Sequence, residues 1–163
     1  MVRAKTYKEF WENMNLLVPS IDRVKVVSDE VQVQKFIKDV ENGEVILVAV
    51  LPSVDTEAFN LDNIKISESC YVFILKKSSE RDQDDNDWIN DVDSTQEICE
   101  DVITQMLRMA EDFDSQDSNT LMMRRLNPDK IHIDTEYQYM DCNGRSFVFT
   151  MKTEGIKNSN INS

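Results

Sequence analysis

Apolar side chains recur at two spacings along this chain, and each change of spacing marks an element. Tyr7, Phe10, Trp11, Met14 and Leu17 fall three or four residues apart, which predicts an amphipathic helix over residues 5–17. Thr6 with Glu9 three positions later has the form of a capping box at its start, and Pro19 stops it. Arg23 to Val27 is a short β-type run. Ser28 and Asp29 then cap a second helix over 30–41, with Val33, Phe36, Ile37 and Val40 on one face and Gly43 closing it.

Two apolar runs follow. Residues 44–51, EVILVAVL, are nearly continuous and rich in β-branched side chains. They predict a central strand buried on both faces and ended by Pro52. Residues 53–67 are polar, and the expectation is an irregular loop tacked down by Leu61, Ile64 and Ile66. Residues 69–76, SCYVFILK, predict a second strand beside the first. Ser94-Thr-Gln-Glu97 reads as a capping box opening the clearest helix, with Ile98, Val102, Met106, Met109 and Phe113 along its apolar stripe. Asp112, Asp114 and Asp117 crowd its end, where the helix dipole disfavours negative charge, so fraying or a basic neighbour is expected there.

A short helix or turn over 120–126 ends at Asn127-Pro128. Alternation returns in 130–140 and 145–152. Ile131, Ile133, Tyr137 and Tyr139 share one face of the first run, with His132, Asp134, Glu136 and Gln138 on the other; Phe147, Phe149 and Met151 fall together in the second. Asp141-Cys-Asn-Gly144 between them allows two hairpins. A two-residue Asn-Gly loop sets Phe147 opposite Met140. A three-residue loop with Gly144 in the left-handed region sets Phe147 opposite Tyr139 and Phe149 opposite Tyr137. The second gathers the aromatics on one face and is the preferred register.

The order α-β-α-β-β-α-(α)-β-β does not alternate as a doubly wound fold does. It fits an α+β domain: a mostly antiparallel sheet of about five strands with two to three helices packed mainly on one face. That domain spans residues 1–153, and residues 154–163, EGIKNSNINS, form a polar C-terminal tail.

Charge and chemistry then narrow the function. Acidic residues outnumber basic ones 31 to 18, for a net charge of −13, which disfavours binding to nucleic acid or an anionic membrane. The apolar run from Val45 to Leu51 is too short to span a bilayer, and the first residues lack the apolar stretch of a signal peptide. Cys70, Cys99 and Cys142 form no CxxC pair and read as reduced thiols of a cytosolic-type compartment. The one histidine, His132, lies on the polar face of a predicted strand, and the three glycines leave no phosphate-cradling loop. No nucleophile-elbow, zinc-protease or dinucleotide motif occurs. The reading is a non-enzyme with no catalytic, cofactor-binding or metal residues.

The segment RDQDDNDWINDVDS, residues 81–94, comes nearest to a metal motif. Asp82, Asp84, Asn86, Ile89 and Asp93 match part of a calcium loop, but Asp87 stands where the turn needs glycine, and Asp93 is shorter than the usual Glu. A solvated acidic loop or a charged contact rim is preferred. Trp88 and Ile89 inside that run either fold back onto the protein or anchor a partner. The candidate partner-contact residues are Asp84, Asp85, Asp87, Trp88 and Ile89, with Arg124 and Arg125 as a basic spot suited to an acidic patch on a neighbouring copy.

A leading helix KTYKEFWENMNLLVPSI runs into a strand, and the strands EVILVAVLP and CYVFILKK are separated by a loop. A capped helix and a hairpin ending NGRSFVFTMK follow. In this the chain resembles the small tail-terminator and head–tail joining (neck ring) proteins of tailed bacteriophages. The resemblance implies a structural virion protein, assembled in the host cytoplasm. It implies a ring of copies of itself, built by side-to-side contacts of sheet edges and loops and bound to other neck and tail proteins, with no catalysis and no cofactor. The acidic loop and polar tail depart from that pattern. The residues also admit a monomeric acidic regulator or inhibitor that binds a basic protein by imitating nucleic-acid charge. A third reading is a calcium-responsive module.

Overall fold

The computed structural model describes residues 1–58, 64–78 and 86–153. Five strands, β1 (Arg23–Val27), β2 (Val45–Ala58), β3 (Ile64–Lys77), β4 (His132–Tyr139) and β5 (Cys142–Thr153), form one mixed sheet. Their order is β1-β2-β3-β5-β4. The β1–β2 pair is parallel and the other three pairs are antiparallel. The helices are α1 (Ala4–Glu12), α2 (Met14–Leu17), α3 (Glu30–Lys38), α4 (Asp87–Glu111) and α5 (Ser118–Met123). The fold is α+β, as the element order predicts, with more helices than expected.

The helices divide between the two faces of the sheet. Helices α1, α4 and α5 pack on one face, over Leu47, Ala49, Cys70, Val72, Ile74, Phe147, Phe149 and Met151. Trp11 lies at the centre of that core, edge-on to Phe10 at 4.8 Å and tilted against Phe147 and Phe149 at 6.4 and 6.3 Å. Helix α3, the crossover between the parallel strands, covers Val27, Ile46, Val48 and Leu75 on the other face. Consecutive residues Ile46, Leu47, Val48 and Ala49 are therefore all fully buried, which is why the run carries no polar alternation.

Several local expectations are corrected. The leading helix begins at Ala4 with Arg3 as its N-cap and no side-chain cap, so the Thr6–Glu9 box does not form, and Asn13 divides the predicted 5–17 span into α1 and α2. Asp29 does cap α3, its carboxylate accepting from the Gln32 amide at 2.9 Å. That helix ends at Lys38, and Gly43, at φ 87°, turns the chain into β2 instead. Pro52 does not end β2. Val50 pairs with Tyr71 and Ser53 with Ser69, so Leu51 and Pro52 together oppose Cys70. A bulge of this kind accommodates a residue without an N–H, and much of the expected loop over 53–67 is strand. Ile66 is buried, whereas Leu61 lies outside the described residues.

Helix α4 starts at Asp87, about two turns before the expected Ser94 cap. Ser94 and Thr95 sit inside it, their hydroxyls donating to the Asp91 carbonyl. Asp91 explains the early start. Its carboxylate pairs with Lys76 at 3.1 Å and receives the Asn143 amide at 3.5 Å, tying the first turns of α4 to β3 and β5. At the other end, Phe113 lies beyond the helix and is 75% exposed, so it is not part of the apolar stripe. The crowded aspartates there do meet a basic neighbour: the Arg124 guanidinium donates to the Asp112 and Ser115 carbonyls, and Asp117 caps α5.

The β4–β5 hairpin takes neither expected register. Its loop is Met140-Asp141, both residues at positive φ, with Tyr139 opposite Cys142. Glu136 pairs with Gly144 and Ile133 with Phe147. Tyr137 and Gln138 together oppose Asn143, forming a bulge in which the Gln138 amide donates to the Asn143 side-chain oxygen at 2.8 Å. The bulge reverses the side-chain alternation. Tyr137 packs on Trp88 beside α4, while Tyr139 stacks on Phe73 on the opposite face at 5.3 Å. The aromatics are thus split between the faces rather than gathered on one.

Asn143-Gly144 is a sheet device here, not a turn. Asn143 is buried and also donates to the Ser78 hydroxyl at 3.1 Å. A Cβ on Gly144 would press into the Ile74 carbonyl and lie 3.0 Å from Leu75 Cα. Gly144→Ala is therefore expected to push β5 from β3 and destabilise the fold by roughly 1–3 kcal/mol, read as a lower midpoint in urea unfolding.

Candidate functional site

The sheet ends in two edges that no other strand covers among the described residues: β1 on one side and β4 on the other. An open edge presents unpaired backbone N–H and C=O groups, so proteins either blunt it or use it for contact. The upper part of β5 is not open in this way. Leu126 bridges Met151, the Asn127 amide donates to the Thr150 carbonyl, and the Lys152 amide to the Arg125 carbonyl.

At the β1 edge, α1 and α3 stand on opposite faces of the sheet and wall a groove of about 770 Å³, floored by Lys25, Val26 and Val27. Four lysines line it: Lys5 and Lys8 from α1, Lys25 from β1 and Lys35 from α3. Glu12 and Asp39 are the carboxylates among its lining residues. Lys5 and Lys8 reach Glu9 and Glu12 along the helix at 3.8 and 3.5 Å, exposed pairs that hold a side chain only weakly. A basic groove in a chain of net charge −13 is a local inversion of the whole surface.

The β4 edge is its opposite. Residues 129–141 carry Asp129, Asp134, Glu136 and Asp141 against one lysine, Lys130. Asp134 is exposed beside His132 at 3.1 Å, and Glu136 accepts from the Ser146 hydroxyl at 2.6 Å. On the α4 face of this edge, Trp88 leans on Tyr137 with ring centroids 4.9 Å apart. Trp88 is half-buried, while Ile89 and Tyr137 are 41% and 54% exposed. Trp88 therefore folds back onto the protein and still offers part of its ring at the rim.

The residues singled out from sequence are thus dispersed. Asp87, Trp88 and Ile89 form the first turn of α4 beside the β4 edge. Asp84 and Asp85 lie outside the described residues, as do Asp82 and the tail 154–163. The later part of the calcium-like pattern is helical, with Asp93 exposed on α4. Arg124 and Arg125 are engaged within the chain. Arg124 holds the turn after α4, with Phe113 5.8 Å from its guanidinium, and Arg125 pairs with the buried Glu68 at 2.8 Å. Glu68 also accepts from the Val2 amide at 2.7 Å. The four groove lysines were not singled out from sequence; they come from three elements, and no linear spacing connects them.

The cysteines are core residues. Cys70, Cys99 and Cys142 are each fully buried, and desolvation pushes each thiol from an ordinary 9.0 up to about 12. For Cys70 the Glu68 carboxylate adds to the rise. Among the described residues, no three His, Cys, Asp or Glu side chains are placed to hold a metal, and no helix is long and apolar enough to cross a membrane. No protein-family model matches the chain, and a search of curated proteins returns no match.

Three outcomes are expected from these buried groups. Arg125→Ala strands the Glu68 carboxylate in the core and should cost roughly 3 kcal/mol in denaturant unfolding; Glu68→Gln combined with Arg125→Met should cost less, because no buried charge remains. The thiols should resist alkylation in the native protein at pH 8 and react once it is unfolded. Their raised values also set a sign: stability is intact below about pH 9 and falls as pH rises toward 12, because the unfolded chain ionises first. Alkaline unfolding followed by circular dichroism checks that direction.

Proposed function

We propose that this chain is a structural virion protein, a ring-forming component of the tail terminator or head–tail connector of a tailed bacteriophage, acting through protein contacts without catalysis. The observation that carries the reading is the pair of open sheet edges of opposite charge, the lysine-lined groove at β1 and the acidic β4 strand. Two unlike, complementary patches on one chain favour a head-to-tail contact, and repeated head-to-tail contacts close into a ring when the rotation per copy allows. The half-exposed Trp88 beside Ile89 and Tyr137, rimmed by acidic groups, has the composition of a contact anchor. The phage setting itself rests on the resemblance in element order. Copies of itself and other neck and tail proteins are the partners this reading supplies.

Size-exclusion chromatography with light scattering, followed by negative-stain imaging, tests it. The expected outcome is concentration-dependent self-association into rings, weakened by salt because screening acts on exposed charges. A strict monomer at all concentrations, binding a basic protein in a salt-sensitive way, would overturn it in favour of an acidic regulator.

A further inference from the structure

One row of side chains crosses the whole sheet. Lys25 pairs with Val48, Val48 with Phe73, Phe73 with Ser146, and Ser146 with Asp134. The adjacent row runs from Arg23 through Ile46, Leu75 and Gly144 to Glu136. Directly paired residues point to the same face, so the sheet begins with Arg23 and Lys25 and ends with Glu136 and Asp134, on one face and in matching rows.

Strand directions complete the match. β1 and β2 run together, β3 opposes them, β5 opposes β3, and β4 opposes β5. β4 is therefore antiparallel to β1. A second copy placed to continue the sheet sets its β1 antiparallel to the first copy's β4, and antiparallel pairing is slightly the more stable per residue.

We propose that β4 of one copy docks in the groove at the β1 edge of the next as an added antiparallel strand, with Asp134 opposite Lys25 and Glu136 opposite Arg23. This rests on the ring reading and specifies its contact. The occupant is a second copy because its β4 brings the complementary charges in the right rows. The groove between α1 and α3 leaves the β1 edge accessible. Lys25 has no ion-pair partner among the described residues, whereas Arg23 is held by Glu44 at 3.1 Å, so Lys25–Asp134 is the stronger discriminator. On the other face, the same docking brings α1 with Lys5 and Lys8 toward Asp87, Trp88, Ile89 and Tyr137.

Site-directed crosslinking of the full chain tests the register. Lys25 and Asp134 are exposed and the native cysteines are buried. Directly opposed positions in an antiparallel pair bring Cβ atoms within about 4.5–5.5 Å, near enough for a disulfide with slight adjustment. A mixture of Lys25→Cys and Asp134→Cys chains under mild oxidation should give a crosslinked dimer on non-reducing gels. Lys25→Cys mixed with Thr135→Cys should not, because Thr135 faces the other side. In parallel, Lys25→Glu should weaken self-association roughly fivefold at low salt, with recovery in the chain that also carries Asp134→Lys. Unchanged circular dichroism spectra show that each variant is folded. Rings without the Lys25–Asp134 crosslink, or without charge-swap recovery, would overturn this pairing and leave the ring reading standing. Absence of self-association in the unmodified chain would overturn both.

Discussion

The register of β5 between β3 and β4 is the constraint on which the rest of the structure depends. Gly144 lets β5 approach the Ile74 carbonyl, an approach that any side chain would block. Its neighbour Asn143 turns inward, bonding the Gln138 amide, the Ser78 hydroxyl and the Asp91 carboxylate. One residue thus closes the β4 bulge and anchors α4. A slip of one position would turn Phe147 and Phe149 away from Trp11 and into the opposite face. The same register places Asp134 and Glu136 on the face that carries Lys25 and Arg23, so core packing and the charge pattern of the edges share one cause.

That charge pattern is unusual for edge strands. An edge is commonly protected by a lysine or another inward-pointing charge, which discourages pairing with any chain. Here the two edges carry opposite signs. Like charges at a shared contact repel and opposite charges attract, which is the basis of the proposed head-to-tail pairing. Helices α1 and α3 wall the groove at the β1 edge, with Lys5, Lys8, Lys25 and Lys35 along it.

The polar groups that are buried serve the architecture. Glu68 is met by Arg125 and the Val2 amide, and Asp91 by Lys76 and Asn143. Each links elements distant in sequence and satisfies a carboxylate that would otherwise be costly to bury. The thiols are neutral and inaccessible.

Local chemistry made much of the fold legible. The nearly continuous run at 44–51 announced a strand buried on both faces, which holds for Ile46 to Ala49; Asp29 announced its cap, and the spacing of Phe10, Trp11 and Met14 announced a buried helix face. These rest on periodicity, which a linear chain records directly. Pro52, Ser94-Thr-Gln-Glu97 and Asn143-Gly144 misled, because each is a standard punctuation signal overruled by a partner far along the chain. A bulge opposite Cys70 absorbs the proline, Asp91 draws helix α4 past its expected cap, and β3 claims the glycine. The candidate site was legible only in part. Trp88 and Ile89 stood out as apolar residues among aspartates, but the basic groove draws Lys5, Lys8, Lys25 and Lys35 from three separate elements. Core composition, the excess of negative charge and the order of elements can be read along the chain. Strand register, and with it which charges lie at each edge, follows from pairing with neighbours that sequence distance does not reveal.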